Sequence, residues 1–186
     1  MSKKTIFIGP EGVGKTCFCM LLQGQDCPKE HVQTRNLNNT TAEVKDSGNF
    51  LGLKKDVILD LGGQQFKEYK ELIEKAKPDN IFFMFNGVKL IEELKNFKKG
   101  GDTTMRIAFL NNLLEKNNTY YIATHADQYK GHMKEDILKG INEANDAYKS
   151  ISGEMPRYRF KLTGRLFAVN ATDAEQVNNL YKEIVK

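Results

Sequence analysis

The sequence predicts an α/β fold of three layers, with a mostly parallel central sheet and helices on both faces. Two observations carry that reading. Stretches such as Ile81-Phe82-Phe83-Met84-Phe85 and Tyr120-Tyr121-Ile122-Ala123 are apolar at every position, as strands covered on both sides must be. Between such stretches lie segments of helical period, and strands that alternate with helices build parallel sheets. At 186 residues, 40% hydrophobic and 28% charged, the chain suits a single domain over residues 1–186.

The elements follow in order. Residues 5–8 read as a buried strand and 16–23 as a helix, with a polar loop over 24–39. Residues 41–44 make a short strand that turns at 46–49, and 56–59 make a second buried strand. A helix over 66–77 is closed by Pro78, which cannot continue it. The strand 81–85 leads to a lysine-rich loop at 95–101, then to a helix over 103–116 whose core face includes Ile107, Leu110 and Leu114. After the strand 120–123 comes an amphipathic helix over 135–150, with Ile137, Leu138, Ile141, Ala144 and Tyr148 on one side. Residues 166–169 form the last strand and 173–185 the last helix. The stretch 155–165 alternates Arg157, Arg159 and Lys161 with Tyr158, Phe160 and Leu162, the period of an edge strand with one basic face. Charge there prevents sheet-to-sheet pairing; an acidic partner or lipid headgroups are the alternative use.

Composition excludes several classes. No apolar run approaches the ~20 residues of a membrane span, and mean hydropathy is -0.53. A net charge of +4 is too small to argue for nucleic acid. The three cysteines, Cys17, Cys19 and Cys27, are too few for a disulfide framework or a metal set. They read as small apolar filler in a reducing, cytoplasmic setting.

The stretch Gly9-Pro10-Glu11-Gly12-Val13-Gly14-Lys15-Thr16 fits the spacing G-x-x-x-x-G-K-[ST]. Gly9, Gly12 and Gly14 can take backbone angles closed to other residues, so successive amides can converge on one anion. Lys15 would set its ammonium between the β- and γ-phosphates of a nucleotide, and the Thr16 hydroxyl would be a ligand for Mg2+. A helix beginning near Lys15 would aim the positive end of its dipole at the same phosphates. With a strand before it and a helix after it, the stretch is a P-loop, and the fold is expected to be that of the P-loop NTPases.

Ligands of doubly wound sheets sit beyond the carboxyl ends of the strands, so chemistry is expected where each strand stops. The second buried strand stops at Asp60-Leu61-Gly62-Gly63-Gln64. Asp60 can hold Mg2+ directly or through water, Gly63 can offer its amide to a γ-phosphate, and Gln64 can orient an attacking water. The next-to-last strand stops at Thr124-His125-Ala126-Asp127, and the last at Asn170-Ala171-Thr172.

A P-loop, then Asp60-Leu61-Gly62-Gly63-Gln64, then a tetrad ending in Asp127, then Asn170-Ala171-Thr172 resembles the small GTPases of the Ras superfamily. It is most similar to the ADP-ribosylation factor (Arf and Arf-like) branch, over nearly the whole chain. The resemblance implies a switch that binds GTP and GDP with Mg2+, hydrolyses GTP slowly, and engages effector, exchange and GTPase-activating proteins. It assigns Glu11, Gly12, Val13, Gly14, Lys15, Thr16, Cys17 and Gly63 to the phosphate side of the nucleotide, and Gln64 to catalysis. Thr16, Thr41 and Asp60 are assigned to Mg2+. Thr41, which stands 19 residues before Asp60, would be the switch-I threonine, with Thr40 as the alternative. Thr124, His125 and Asp127 would hold the base, Asp127 reading the N1 and N2 hydrogens of guanine. Ala171 and Thr172 would lie alongside, the Ala171 amide facing the guanine O6.

Three departures stand out. Thr124-His125 replaces the Asn-Lys of most relatives, so an imidazole can stack where a lysine stem lies along the base. Glu11 occupies a position where a side chain can crowd an incoming arginine finger, which slows hydrolysis. The branch's acylable N-terminal amphipathic helix and a C-terminal prenylation cysteine are both missing, so no intrinsic membrane anchor is expected. Two other classes stay open. A binding-only pseudo-GTPase scaffold is favoured by Thr124-His125 and opposed by Gln64. A P-loop small-molecule kinase would need a lid of several arginines, and Arg106 is the only central one.

Overall fold

The computed structural model describes residues 4–27, 41–43, 57–60, 73–74, 77–96, 118–152, 162 and 165–185. Along the chain these form β1 (Lys4–Ile8), α1 (Lys15–Leu22), β2 (Thr41–Glu43), β3 (Val57–Asp60), β4 (Asn80–Asn86) and α2 (Gly87–Lys95). Then come β5 (Asn118–Thr124), a 3-10 turn (Ala126–Gln128), α3 (Met133–Ser152), β6 (Arg165–Ala168) and α4 (Ala174–Val185). The six strands make one sheet in the order β2-β3-β1-β4-β5-β6. β1, β3, β4, β5 and β6 run parallel, and β2 is antiparallel to β3 at one edge.

The apolar runs form central strands because successive side chains enter two different cores. Ile6, Ile8, Ile81, Phe83, Phe85 and Tyr121 point to one face, where Leu90, Ile91 and Leu94 of α2 and Ile137 and Ile141 of α3 cover them. Phe7, Phe82, Met84 and Ile122 point to the other, against Phe18 and Leu22 of α1 and Val177, Leu180 and Tyr181 of α4. Phe82 is the hub of this second core, meeting Phe7 and Tyr120 edge-on at ring separations of 4.9 and 5.2 Å. Ile81 to Phe85 are all fully buried, which is why this strand shows no alternation in sequence. The three-layer α/β architecture is the one the sequence predicts.

The main difference is α2, which the sequence reading passed over. It begins directly after β4, with the Asn86 side chain accepting from Lys89 N at 3.1 Å as its N-cap. A Cβ on Gly87 would stand 3.1 Å from Ala123 Cβ and closer still to the Met133 sulfur, so the helix start packs tightly on β5 and α3. Lys95, expected in a loop, is the last residue of this helix. Of the helix expected over 66–77, Ile73 and Glu74 are helical, and Lys77 N donates to Ile73 O at 2.9 Å just before Pro78. The expected 103–116 helix lies outside the described residues, as does the basic 155–165 stretch apart from Leu162 and Arg165.

Candidate nucleotide-binding site

The parallel registers Phe7↔Asp60, Ile8↔Phe83, Asn86↔Thr124 and Ala123↔Ala168 align the carboxyl ends of β1, β3, β4, β5 and β6 along one edge of the sheet. The glycine-rich loop leaves β1 at this edge. Gly9 has φ 150°, and a Cβ there would sit 2.0 Å from the Met84 carbonyl oxygen, so the loop can pass β4 only without a side chain. Gly12 and Gly14 have φ 75° and 85°. Gly14 is the N-cap of α1, and no acidic residue stands in the first turn. Proteins often place a carboxylate there to complement the helix dipole; here the position suits an external anion instead.

Lys15 is 7% exposed, and its Nζ donates to Gly9 O at 3.0 Å and Pro10 O at 2.7 Å. The ammonium thus arches over the loop whose amides it would assist, its charge held by main-chain carbonyls. Val13 is buried in the core beneath, while Glu11 and Gly12 are exposed and Thr16 is half-buried. A Cβ on Gly14 would come within 2.9 Å of Ala171 Cβ. That contact brings the loop against the segment after β6, which the sequence reading assigned to the base.

The base side is built by hydrogen bonds. Thr124 closes β5 fully buried, its Oγ1 3.1 Å from Phe85 O and 2.9 Å from Nδ1 of His125. His125 is left-handed, φ 64° and ψ 33°, a conformation histidine tolerates better than most residues. Burial holds its imidazole below the ordinary 6.5; the Asp127 carboxylate opposes this and the Lys89 ammonium adds to it. Asp127 sits exposed on the 3-10 turn. Ala126 N donates to Val169 O at 3.4 Å, tying this turn to the chain leaving β6. There Asn170 Oδ1 accepts from Thr172 N at 3.0 Å and Thr172 Oγ1 at 2.8 Å, folding the segment back so that Ala171 is buried. Asp173 caps α4, accepting from Glu175 N and Gln176 N, and Gln176 Oε1 accepts from Asn170 N at 3.0 Å.

Of the three residues assigned to Mg2+, Thr16 lies in the first turn of α1. The backbone places Asp60 at the end of β3 beside Phe7 of β1, and Thr41 at the start of β2 opposite Leu59. All three lie toward the loop end of the sheet, and hydroxyl and carboxylate oxygens are the donors Mg2+ takes. Gly63 and Gln64 lie outside the described residues.

One expectation is corrected. Cys17 and Cys27 are joined in a disulfide, with Cα atoms 4.8 Å apart, and only Cys19 remains a buried thiol. The chain turns back after α1 at Gly24, φ 72°, and this return brings Cys27 to the first turn of the helix. With Cys17 and Cys27 bonded, the cysteines lend no support to a reducing compartment. Lys89 and the Asp173–Gln176 cap were given no role in the sequence reading. The cap carried a signal, an Asp followed three residues later by Gln at a helix start; Lys89 carried none. A separate cavity of about 190 Å³ between α2 and α3, with Leu94, Tyr129 and Lys139 in its wall, contains no residue assigned to the nucleotide.

No family model and no curated protein matches the chain. Among solved structures it is similar to a probable GTP-binding protein, engB, with a TM-score of 0.60 and 19% identity over 98% of both chains. It is also similar to the mammalian SRP receptor, with a TM-score of 0.58 and 15% identity over 98% of this chain and all of that one. With these likenesses, the sheet order and the loop after β1, the chain has the three-layer P-loop NTPase fold.

Proposed function

We propose that this chain is a guanine-nucleotide switch that binds GTP and GDP with Mg2+ and hydrolyses GTP slowly. One observation carries the reading: Gly14 of the phosphate loop packs on Ala171 of the base-side segment, so both ends of a nucleoside phosphate can be held together. Amides of the loop from Glu11 to Cys17 and the Lys15 ammonium would hold the phosphates. Asp127 would accept the guanine N1 and N2 hydrogens, and the segment at Ala171 and Thr172 would border the base. The fold shared with a probable GTP-binding protein supports this.

Thr16, Thr41 and Asp60 would hold Mg2+, which neutralises phosphate charge when bound. Gln64 would orient the attacking water. With no arginine assigned to the phosphates, hydrolysis would depend on an activating partner, and effector and exchange proteins would read the same segments. The affinity of Thr124-His125 for the base bears on a second reading, a binding-only scaffold in which turnover is absent. The Arf-like branch remains the finer family assignment, and a cytoplasmic location the finer setting; no described helix is long and apolar enough to cross a membrane.

Chromatography of the nucleotide released on denaturing freshly purified protein tests the ligand, with GDP or GTP expected. Gln64→Leu should keep nucleotide affinity while lowering single-turnover phosphate release by roughly ten-fold or more. Equal release by both proteins removes Gln64 from the mechanism, and release by neither leaves the scaffold.

A further inference from the structure

The hydroxyl of Thr124 touches two groups at once, Phe85 O at 3.1 Å and His125 Nδ1 at 2.9 Å. A carbonyl oxygen only accepts, and a threonine hydroxyl has one proton to give. With that proton on the Phe85 bond, the second contact is a hydrogen bond only if Nδ1 carries a hydrogen and donates it to Thr124. In a neutral ring Nε2 is then the lone-pair acceptor. Among the described residues Nε2 has no protein partner, since the Thr124 contact is the ring's one hydrogen bond. The backbone fixes the other end of the side chain: Gln128 N donates to His125 O at 3.1 Å, and the residue is left-handed. The charged groups facing the ring, among the described residues, are Asp127 from its own turn and Lys89 from α2; burial, the largest influence, keeps the ring neutral.

We propose that Thr124 is a positioning residue that fixes His125 as the Nδ1–H tautomer, and that His125 determines specificity by accepting a hydrogen bond at Nε2 from the bound nucleoside. This rests on the guanine reading above and deepens it. The base end offers two acceptors, the Asp127 carboxylate and Nε2, where a lysine would offer only donors. The nucleoside groups with matching chemistry are the second hydrogen of the guanine 2-amino group and the ribose 2′-hydroxyl. A protonated Nε2 donates and can no longer accept, so binding requires the neutral ring.

Nitrogen NMR of the labelled ring in the nucleotide-free protein reads the tautomer, and calorimetric titration with GDP reads the binding. The Nδ1–H form is expected at neutral pH in the wild type and in Thr124→Ser. Thr124→Val, of similar shape, should shift the ring toward the Nε2–H form while thermal melting shows it folded. Wild-type GDP affinity should fall by at least about threefold from pH 7.5 to about 5.5 relative to His125→Gln, which keeps an acceptor that does not titrate. Titrations with IDP, which lacks the 2-amino group, and with 2′-deoxy-GDP identify the donor: the analogue whose affinity no longer responds to His125→Ala lacks it. An Nε2–H or charged ring at neutral pH overturns the proposal, as does a wild-type pH profile matching that of His125→Gln. Equal responses of all three ligands to His125→Ala overturn the acceptor role. An Nδ1–H ring in a protein that binds no GDP at any pH overturns the guanine reading itself, and the role of Nε2 with it.

Discussion

The phosphate end and the base end of the candidate site are constructed on different principles. At the phosphate end the constraint is steric and falls on the backbone: Gly9 passes within reach of Met84 O, where any Cβ would collide. At the base end the constraint is two sets of hydrogen bonds made by side chains, one at Thr124 and His125 and one at Asn170 and Gln176. A steric rule admits one residue type, whereas a hydrogen bond can be remade by another donor. The same contrast fits a loop that follows a general spacing beside a tetrad, Thr124-His125-Ala126-Asp127, that differs from the Asn-Lys form of the small GTPases the sequence resembles.

The sharpest break of this contrast is Gly9→Ala. Overpacking against a main-chain oxygen, added to an unfavourable φ, should cost about 3 kcal/mol or more and abolish nucleotide binding. Urea unfolding with GDP titration checks it, and a stable variant that still binds would show that β4 can yield. Next comes Cys27→Ser. Loss of the Cys17–Cys27 closure, 10 residues apart, should cost about 2–3 kcal/mol under oxidising conditions. In thermal melts the gap between wild type and variant should vanish once reductant is added, and a gap that persists would place the effect elsewhere.

Asp127→Asn sharpens the base side. Guanine nucleotides should weaken by about 1–3 kcal/mol while xanthosine nucleotides gain, because the amide can donate to the xanthine O2. Unchanged GDP affinity would move base discrimination to other residues. The smallest effect is expected from Asp173→Ala, which removes the α4 cap next to the base-side segment and should lower the melting temperature by roughly 2–4 °C. The backbone bond from Gln176 N holds this exposed carboxyl below its ordinary 3.8. Its folded-state pKa is therefore depressed, so the wild-type advantage is present above that value and disappears as pH falls through the lower, folded one. Parallel melts of the two proteins across acid pH would show the curves converging, and a constant offset would count against the cap.

The sheet was legible because Ile81 to Phe85 and Tyr121 to Ala123 are buried on both faces and so carry no polar residue to confuse the pattern. The loop was legible because Gly9, Gly14, Lys15 and Thr16 each answer a separate physical demand. Helix α2 was missed although Asn86 caps it and Leu90, Ile91 and Leu94 repeat at helical spacing. It follows β4 with no loop between them, and Asn86-Gly87 at the junction carries the signal of a turn while serving as helix cap and first helical residue. The disulfide was illegible for a different reason: whether Cys27 meets Cys17 depends on how Gly24 reverses the chain, and spacing does not reveal that. The Thr124–His125 bond depends on the left-handed backbone of a non-glycine residue, which sequence does not announce.

The approach of Gly14 to Ala171 has a consequence for the length of what can bind. On the guanine-nucleotide reading proposed above, the Gly14–Ala171 approach would set the gap between the segment proposed for the phosphates and the segment proposed for the base, a gauge cut to one nucleoside. A ligand with a longer or shorter spacer would satisfy either segment but not both. A methyl group added at Gly14, where φ is 85° and Ala171 Cβ would stand 2.9 Å away, would force the two segments apart and strain the loop, so the spacing and the direction of the loop amides would change together.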